Sequence, residues 1–403
     1  MNNNPVKQTI LLLGNYRPTL TLARNFSKLG YYIISGLEGC DGGAEHSNAV
    51  NEIWDHPSIA VDQDGFIAAF NEYVKQKNVN LVFPVSEEFV RFFGENSQID
   101  LNTAKLVGVD FDLVNKCLDK ISMMTLAKEC QIPILPFARV IDHPELIKVA
   151  RQIGYPLVIR PEKSTIRLGN KKALFLKNED QLLEQIKIWP KGQSALILQQ
   201  EAKGKRHNIY FAAKDGEFFR YLHSVILKTD AIDGSGLAVE GVTIDPMENL
   251  AKYSTSLVKA LNYTGIGLIQ FLVDEATGKI NFLEINSRIV GSHAVPEYAG
   301  LELGTFQLDL ALENQIDNHN FVGKAGIKYV WAIGDIQATK IAWLNKTIST
   351  RHALKMVFKA FIASCRSELD MVFSIKDPKP GLMALKNQFP NLRKLPKTLK
   401  ARR

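Results

Sequence analysis

The sequence predicts a chain of mixed class, α/β at its start and α+β after it, divided into two or three domains. Three observations carry this. Strand and helix signals alternate from 8 to 110, the pattern of a small parallel sheet with helical crossovers. Two apolar strands joined by a short polar turn follow between 265 and 286, a hairpin that belongs to a sheet of another kind. A length of 403 residues is more than one hydrophobic core usually organises.

Apolar residues make up 46% of the chain and charged residues 23%, the proportions of an ordinary water-soluble protein. The opening MNNNPVKQ is polar and has no apolar signal core, so export is not expected. No run reaches the roughly 18 apolar residues that span a bilayer. Cys40, Cys117, Cys130 and Cys365 are scattered without metal-ligand spacing. They are expected to be reduced thiols in a cytoplasmic protein, and zinc is not expected. The net charge is +7, and the last thirteen residues, NLRKLPKTLKARR, hold six Lys or Arg and no acid. Such a tail reads as a solvated end, with weak contact to an anionic membrane surface as the alternative. Nucleic acid is not an expected partner.

In order along the chain, QTILLLGN is a buried strand that ends at Gly14 and Asn15. PTLTLARNFSKLG is a helix with Leu20, Leu22, Ala23 and Phe26 on its apolar side and Gly30 as its stop. YYIISG is a second strand, FIAAFNEYVKQKN a helix, and VNLVFPVSEE a third strand with a polar exit. A glycine at the first strand end invites a nicotinamide site, but Arg17 and Leu20 stand where the fingerprint needs glycines, which argues against a dehydrogenase. Asn15, Ser86 and Glu87, at strand ends, are candidates for substrate contact, each with a capped turn as the alternative.

A helix over 119–130 opens with Lys120, and the two prolines of IPILPF mark a boundary. A strand at 157–159 delivers Arg160 just before Pro161. After it comes a loop with Ser164, Thr165, Gly169 and the cations Lys163, Arg167, Lys171 and Lys172, and then a strand at 173–176. A strand at 195–198 leads into Gln199, Gln200, Glu201 and Ala202, and another at 208–213 turns at Asp215 and Gly216. His207 and His223 read as polar surface groups. Lys228, before a flexible loop at 232–236, is weighed equally as an anion contact and as a surface lysine. MENLAKYSTSLVKALNYTG is a helix ending at Gly265. Beyond 320, IKYVWAIG is a strand, and a helix near 352–366 has Leu354, Val357, Phe358, Phe361 and Ile362 on an apolar side. That side is expected to dock on the body; lying on a membrane is the alternative.

The hairpin holds the most telling chemistry. Leu268, Ile269, Phe271, Leu272 and Val273 form its first strand, and Ile280, Phe282, Leu283 and Ile285 its second. Gly278 in the turn is free to take a positive φ. Glu284 and Asn286 are two apart, so both leave one face, and Arg288 follows where the strand runs out. A buried neutral polar group without a partner costs roughly 2–7 kcal/mol, and a charge costs more. Something must compensate. Hard oxygen donors suit magnesium, and a guanidinium suits a phosphate. The bland alternative is a surface salt bridge between Glu284 and Arg288.

The run FLEINSR resembles the metal-binding signature of the ATP-grasp superfamily, a Glu-x-Asn-x-Arg at the end of a hairpin, and the likeness extends in order over 8–315. It implies ATP as cosubstrate with Mg2+ or Mn2+. It implies an N-terminal Rossmann-like pre-ATP-grasp domain over 1–112, then a two-lobed ATP-grasp domain over 113–318 with its small lobe at about 135–200. An α-rich C-terminal extension over 319–403 falls outside the likeness. Gln270, Glu284 and Asn286 are the implied metal ligands. Relatives often carry Glu at the first of these, and carbamoyl-phosphate synthase large chains carry Gln. Lys120 and Arg160 are implied on the nucleotide phosphates and Arg288 on the phosphoryl group in flight, and these three are the implied catalytic residues. Ser164 and Gly169 fall in the loop that closes over the triphosphate, which is unusually basic here. Leu198, Gln200, Glu201 and Ala202 are implied around adenine. Asn208 falls where relatives commonly hold the ribose with an acid.

Taken together, the resemblance implies an ADP-forming carboxylate–amine ligase that works through an acyl phosphate. Its substrates are then a small-molecule carboxylate and an amine or amino acid. Ser292 stands where biotin carboxylases have Glu, which argues against bicarbonate carboxylation. A carbamoyl-phosphate-synthase-like phosphorylation of a small acid is the alternative within enzymes. A catalytically silent ATP-binding regulator is the alternative outside them. A homodimer, through the N-terminal domain or the C-terminal end, is ordinary for such enzymes.

Overall fold

The computed structural model describes residues 8–39, 42–162, 168, 173–187, 195–201, 203–231, 236–317 and 319–388. Its first sheet is parallel throughout. β1 (Thr9–Leu13), β2 (Tyr32–Gly36), β3 (Glu52–Trp54), β4 (Leu81–Pro84) and β5 (Lys105–Leu106) stand in the order β3-β2-β1-β4-β5. The strand order reverses between β1 and β4, so their carboxyl ends border a crevice. Ile10, Leu11, Leu12 and Leu13 are all buried, as a central strand covered on both faces must be. α1 (Arg17–Lys28), α2 (Gln63–Gln76) and α3 (Glu87–Glu95) supply the cover. α1 buries the expected Leu20, Leu22, Ala23 and Phe26. β3 and β5 are edge strands of three and two residues, too short for any period to announce them.

α4 (Phe111–Leu118) and α5 (Lys120–Glu129) lead out of this unit. Asp110 and Asp119 cap them, accepting from the N–H groups of Leu113 and Ser122. The second sheet is antiparallel, with β6 (Phe137–Val140), β7 (Leu157–Pro161), β8 (Leu174–Leu176) and β9 (Leu196–Gln200) in the order β6-β9-β7-β8. α6 (His143–Ile153) and α7 (Glu179–Lys187) back it through Leu146, Ala150 and Leu182.

The third sheet holds β10 (Lys205–Lys214), β11 (Glu217–Thr229), β12 (Ala238–Ile244), β13 (Gly265–Val273), β14 (Ile280–Asn286), β15 (Phe321–Val322), β16 (Lys328–Val330) and β17 (Leu369–Asp370). Their order is β14-β13-β10-β11-β12-β16-β17, with β15 beside β11. α8 (Glu248–Ala260) packs Leu250, Leu257 and Val258 against it. α9 (Ala294–Tyr298) and α10 (Leu303–Leu312) join it to α1, where Gly304 sits close to Leu22 and Phe26. The β13–β14 turn places Gly278 at φ +70, as its sequence suggests.

The chain ends in α11 (Ala332–Leu344), α12 (Thr350–Arg366) and α13 (Lys379–Gln388). This part is fastened to the first unit at the buried Asp377. Its carboxylate accepts from Arg24 Nε at 2.9 Å, Ser47 Oγ at 2.6 Å and the Asn48 N–H at 3.2 Å. Burial alone would raise the Asp377 pKa, but these donors together hold it below the usual carboxylate value.

α12 docks only in part by the side expected for it, with Val357 and Ile362 half-buried. Leu354, Phe358 and Phe361 are 68%, 62% and 64% exposed, and Ala360 is its buried residue. The reason lies in side-chain size. Ala353, Val357, Ala360 and Ser364 recur at helical spacing, and small residues let α12 lie close on its neighbours. The bulkier stripe is left facing out.

His207 and His223 are not surface groups either. They are 3% and 0% exposed on β10 and β11, with His207 Nδ1 2.8 Å from His223 Nε2. Burial pulls His207 down to about 4, and burial together with His207 pulls His223 down to about 3. Both rings are therefore neutral in the fold. The unfolded chain takes up protons there below about pH 6.5, before the folded one does. Their contribution is complete above pH 6.5 and is lost as the pH falls towards 4. The unfolding free energy from denaturant titration should drop over this window by roughly 1 kcal/mol per pH unit per histidine. His223→Leu should flatten that slope; an unchanged slope would show that the pair does not titrate as described.

Candidate active site

Two adjoining cavities, of about 550 and 440 Å3, lie between the second and third sheets. Arg160, Ala173, Arg206, Ile226, Gly236, Gln270 and Glu284 line both, so they form one cleft. The larger cavity reaches Arg17 and Glu87 of the first unit. The smaller ends at Gln199, Gln200 and Glu201, where β9 hands over to β10.

The smaller cavity is a slot with apolar walls: Leu135, Val158, Phe175, Leu227, Leu272 and Leu283. On β7, alternation sends Leu157 and Ile159 into the core and turns Val158 and Arg160 to the cleft. Leu283 comes from a different cause. Gln270 pairs with Glu284 and Phe271 with Phe282, so Leu283 is the extra residue of a β-bulge. The bulge breaks strict alternation and lets Leu283 and Glu284 both face the cleft. Gln200 and Glu201 line the slot at its β9 end. Leu198 does not: it is buried in the small-lobe core with Leu157 and Ile159, because it shares their parity on paired strands. Ser164, Gly169 and Ala202, with the other loop residues 163–167 and 169–172, lie outside the described residues.

Gln270, Glu284 and Asn286 meet in the larger cavity. Asn286 Nδ2 donates to Glu284 Oε1 at 3.1 Å, and Gln270 Nε2 donates to Asn208 Oδ1 at 2.6 Å. With both amide N–H groups engaged, two amide carbonyls and a carboxylate remain as hard oxygen donors, a set that fits Mg2+. Asn208 is thus a hydrogen-bond partner of Gln270, and it lines the larger cavity. It in turn donates to Tyr210 Oη at 3.3 Å, which lies 2.8 Å from Ser292 Oγ.

Cations ring these donors. Lys120 opens α5 at the cleft and Arg206 donates to the Gly236 carbonyl at 2.8 Å. Arg160 bonds Gln199 through Nη2, while its buried Nε has no hydrogen-bond partner among the described residues. Burial weakens the hold of Arg160 on its proton, and the Glu284 carboxylate opposes this. Arg288 Nε donates to Glu87 Oε2 at 3.1 Å, so it pairs with the first unit and not with Glu284. Arg17 is buried with its guanidinium 3.5 Å from the centre of the Trp331 ring. Five cations in the larger cavity thus face three carboxylates, Glu87, Asp230 and Glu284. The cleft suits a polyanion.

Ser86 caps α3, accepting from the Phe89 N–H, while Asn15 accepts from the Ala44 N–H and donates to Glu45 Oε2 at 2.6 Å. Lys228 lies along the smaller cavity with Nζ 2.6 Å from both Asp335 oxygens, so its charge is tied to α11. Arg206, Arg17 and Leu283 are site residues that the sequence reading did not assign. Arg206 was within reach of it, since it precedes Asn208 by two on one strand and so shares its face.

Residues 240–319 match the family model described as carbamoyl-phosphate synthase L chain, ATP binding domain. A carbamoyl phosphate synthase large chain of Pseudothermotoga lettingae is 26% identical over 224 residues, 53% of this chain and 20% of that protein. The match therefore spans about a fifth of that relative's length. A biotin carboxylase from Campylobacter jejuni, solved as a complex with beta-gamma-ATP, superposes with a TM-score of 0.63 at 15% identity, covering 80% of this chain and 74% of that one. The ADP complex of an N5-carboxyaminoimidazole ribonucleotide synthetase gives 0.61 at 14% identity, covering 84% and 85%. At these identities the likeness is one of fold.

The Asn208–Gln270 bond makes a test. Asn208→Leu frees the Gln270 amide to rotate, and loss of such a supporting contact typically costs about 10–100-fold in metal affinity. Isothermal titration should find ATP binding weakened by that order when Mg2+ is present and little changed without it. Asn208→Asp, which keeps the acceptor, should retain most of the affinity. Equal binding by Asn208→Leu and the natural chain would remove the positioning role.

Proposed function

We propose, on the premise that the fold is that of the ATP-grasp superfamily, that this chain is an ATP-dependent carboxylate–amine ligase. One observation carries the reading. Gln270, Glu284 and Asn286 leave three oxygens together in a cleft where Arg160 keeps a buried, unpartnered Nε and an apolar slot adjoins. A triphosphate with its base in the slot satisfies all three features at once. The nucleotides with which the two solved neighbours form complexes support it.

A carboxylate does not react with an amine in water, because oxide is a poor leaving group. Transfer of the γ-phosphoryl group to the carboxylate releases ADP and gives an acyl phosphate. Attack by the amine then expels phosphate and leaves an amide. Such transfer depends on positioning and charge neutralisation, which is what these side chains offer. Gln270, Glu284 and Asn286 hold Mg2+ or Mn2+, which screens the phosphate oxygens when bound. With one carboxylate among the three, the site takes its metal together with the nucleotide. Lys120, Arg160 and Arg206 hold the phosphates. Arg288, steadied by Glu87, meets the moving group, and Arg17 and Ser292 lie at the end left for the acid. No nucleophilic Ser, Cys or His is needed.

On this reading residues 1–112 are a pre-ATP-grasp domain, 113–318 the two-lobed catalytic unit, and 319–403 an extension of its own. The free thiols Cys117, Cys130 and Cys365 and the need for ATP support a cytoplasmic place. Among the described residues, no helix is long and apolar enough to cross a membrane. A second reading, phosphorylation of a small acid in the manner of carbamoyl-phosphate synthases, is favoured by Gln270 and by the family model matched at 240–319.

ADP release measured across paired amino acids and carboxylic acids tests both. The ligase requires both partners for release. Release with bicarbonate or one small acid alone favours the second reading, and ATP binding without release from any pair contradicts enzymatic function. Glu284→Gln should lower turnover on the order of 10²–10³-fold with an unchanged melting curve.

A further inference from the structure

Outside the cleft, the largest feature that the proposed function leaves unused is the outer face of the α11–α12 hairpin. Ile341, Trp343 and Leu344 at the end of α11 are exposed, as are Leu354, Phe358 and Phe361 on α12. Trp343 Nε1 donates to Thr350 Oγ1 at 3.0 Å, which sets the end of α11 beside the first turn of α12. Leu354, Phe358 and Phe361 follow at helical spacing and make one stripe. Arg351, Lys355, Lys359 and Arg366 run beside that stripe at the same period. The side of α12 that carries Ala360 is the packed one.

Charge decides what can cover this face. From 336 to 367 there are six Lys or Arg, namely Lys340, Lys346, Arg351, Lys355, Lys359 and Arg366, and not one Asp or Glu. Isolated apolar side chains on a surface need no explanation, but contiguous ones do. A second copy meeting this face about a twofold axis would set like charge against like charge. An anionic bilayer does the reverse: Lys and Arg meet lipid phosphates, while Phe, Leu and Trp enter the boundary between headgroup and acyl chain. The next segment adds to this. Lys340 Nζ donates to the Gln388 carbonyl at 2.6 Å, so the chain passes beside α11 before the last thirteen residues, which hold six more Lys or Arg and no acid. We propose that the α11–α12 hairpin is a docking face for an anionic lipid surface. It holds the protein on the bilayer without crossing it, and the face is independent of the chemistry in the cleft.

Sedimentation of the full chain with phosphatidylcholine vesicles, with and without phosphatidylglycerol, tests this. The expected result is binding to the anionic vesicles alone, weakened by high salt. Phe358→Ser with Phe361→Ser should lower it about tenfold or more, and Lys355→Glu with Lys359→Glu should do likewise. Both pairs are surface changes, and equal melting curves show that the fold is kept. No binding to anionic vesicles overturns the proposal. So does binding that these variants leave intact but that disappears when residues 391–403 are removed, because the tail alone then accounts for it. A dimer seen by analytical ultracentrifugation and dissociated by the Phe variant, with no vesicle binding, overturns it in favour of self-association.

Discussion

The structure turns on one cost. Polar side chains placed on an apolar hairpin must find partners, or the fold loses several kcal/mol for each of them. Gln270 and Asn286 spend their N–H groups on Asn208 and Glu284, and Asn208 leans on Tyr210, which meets Ser292. This chain of bonds fixes the donors in one orientation. It satisfies the nitrogens inside the protein and leaves the oxygens to the cleft. Oxygens held this way, in a cleft ringed by cations, fit a metal ion that arrives with an anionic ligand.

The three sheets explain how the cleft stays open while its walls are rigid. The second sheet delivers Arg160 on a strand whose other face is core. The third carries the oxygen donors on β13 and β14, locked by their register with β10. At the cleft the first meets them through the ion pair of Glu87 with Arg288, and away from it α1 and β1 share a core with β10, β13, α9 and α10. Asp377 clamps the C-terminal part to that first unit, and Lys228 with Asp335 ties α11 to the rim of the cleft. The second sheet rests on a core of its own, whereas the first and third share one, and polar contacts fix the side chains at the cleft.

Much of this was legible in the sequence where the signal was local. The hairpin, the polar triplet on it and Arg160 at a strand end follow from period-two patterning and from residues that an apolar strand does not otherwise carry. What stayed hidden depended on tertiary pairing. β3 and β5 are too short to leave a pattern. A bulge that no residue type announces turned Leu283 into the cleft. Leu198 reads as a wall only until its parity with Leu157 is known. His207 and His223 look like surface residues because histidine usually is one, and only the pairing of β10 with β11 brings them together in the interior. On α12 the apolar stripe was visible, but the small residues beside it decided which side packs.

The most direct test of the account is a crystal structure of the full chain with a non-hydrolysable ATP analogue and Mn2+, located by its anomalous scattering. The account predicts the metal on the oxygens of Gln270, Glu284 and Asn286, the phosphates among Lys120, Arg160 and Arg288, and the base between Val158 and Leu283. A nucleotide seated outside this cleft, or a metal that touches none of the three oxygens, would contradict it.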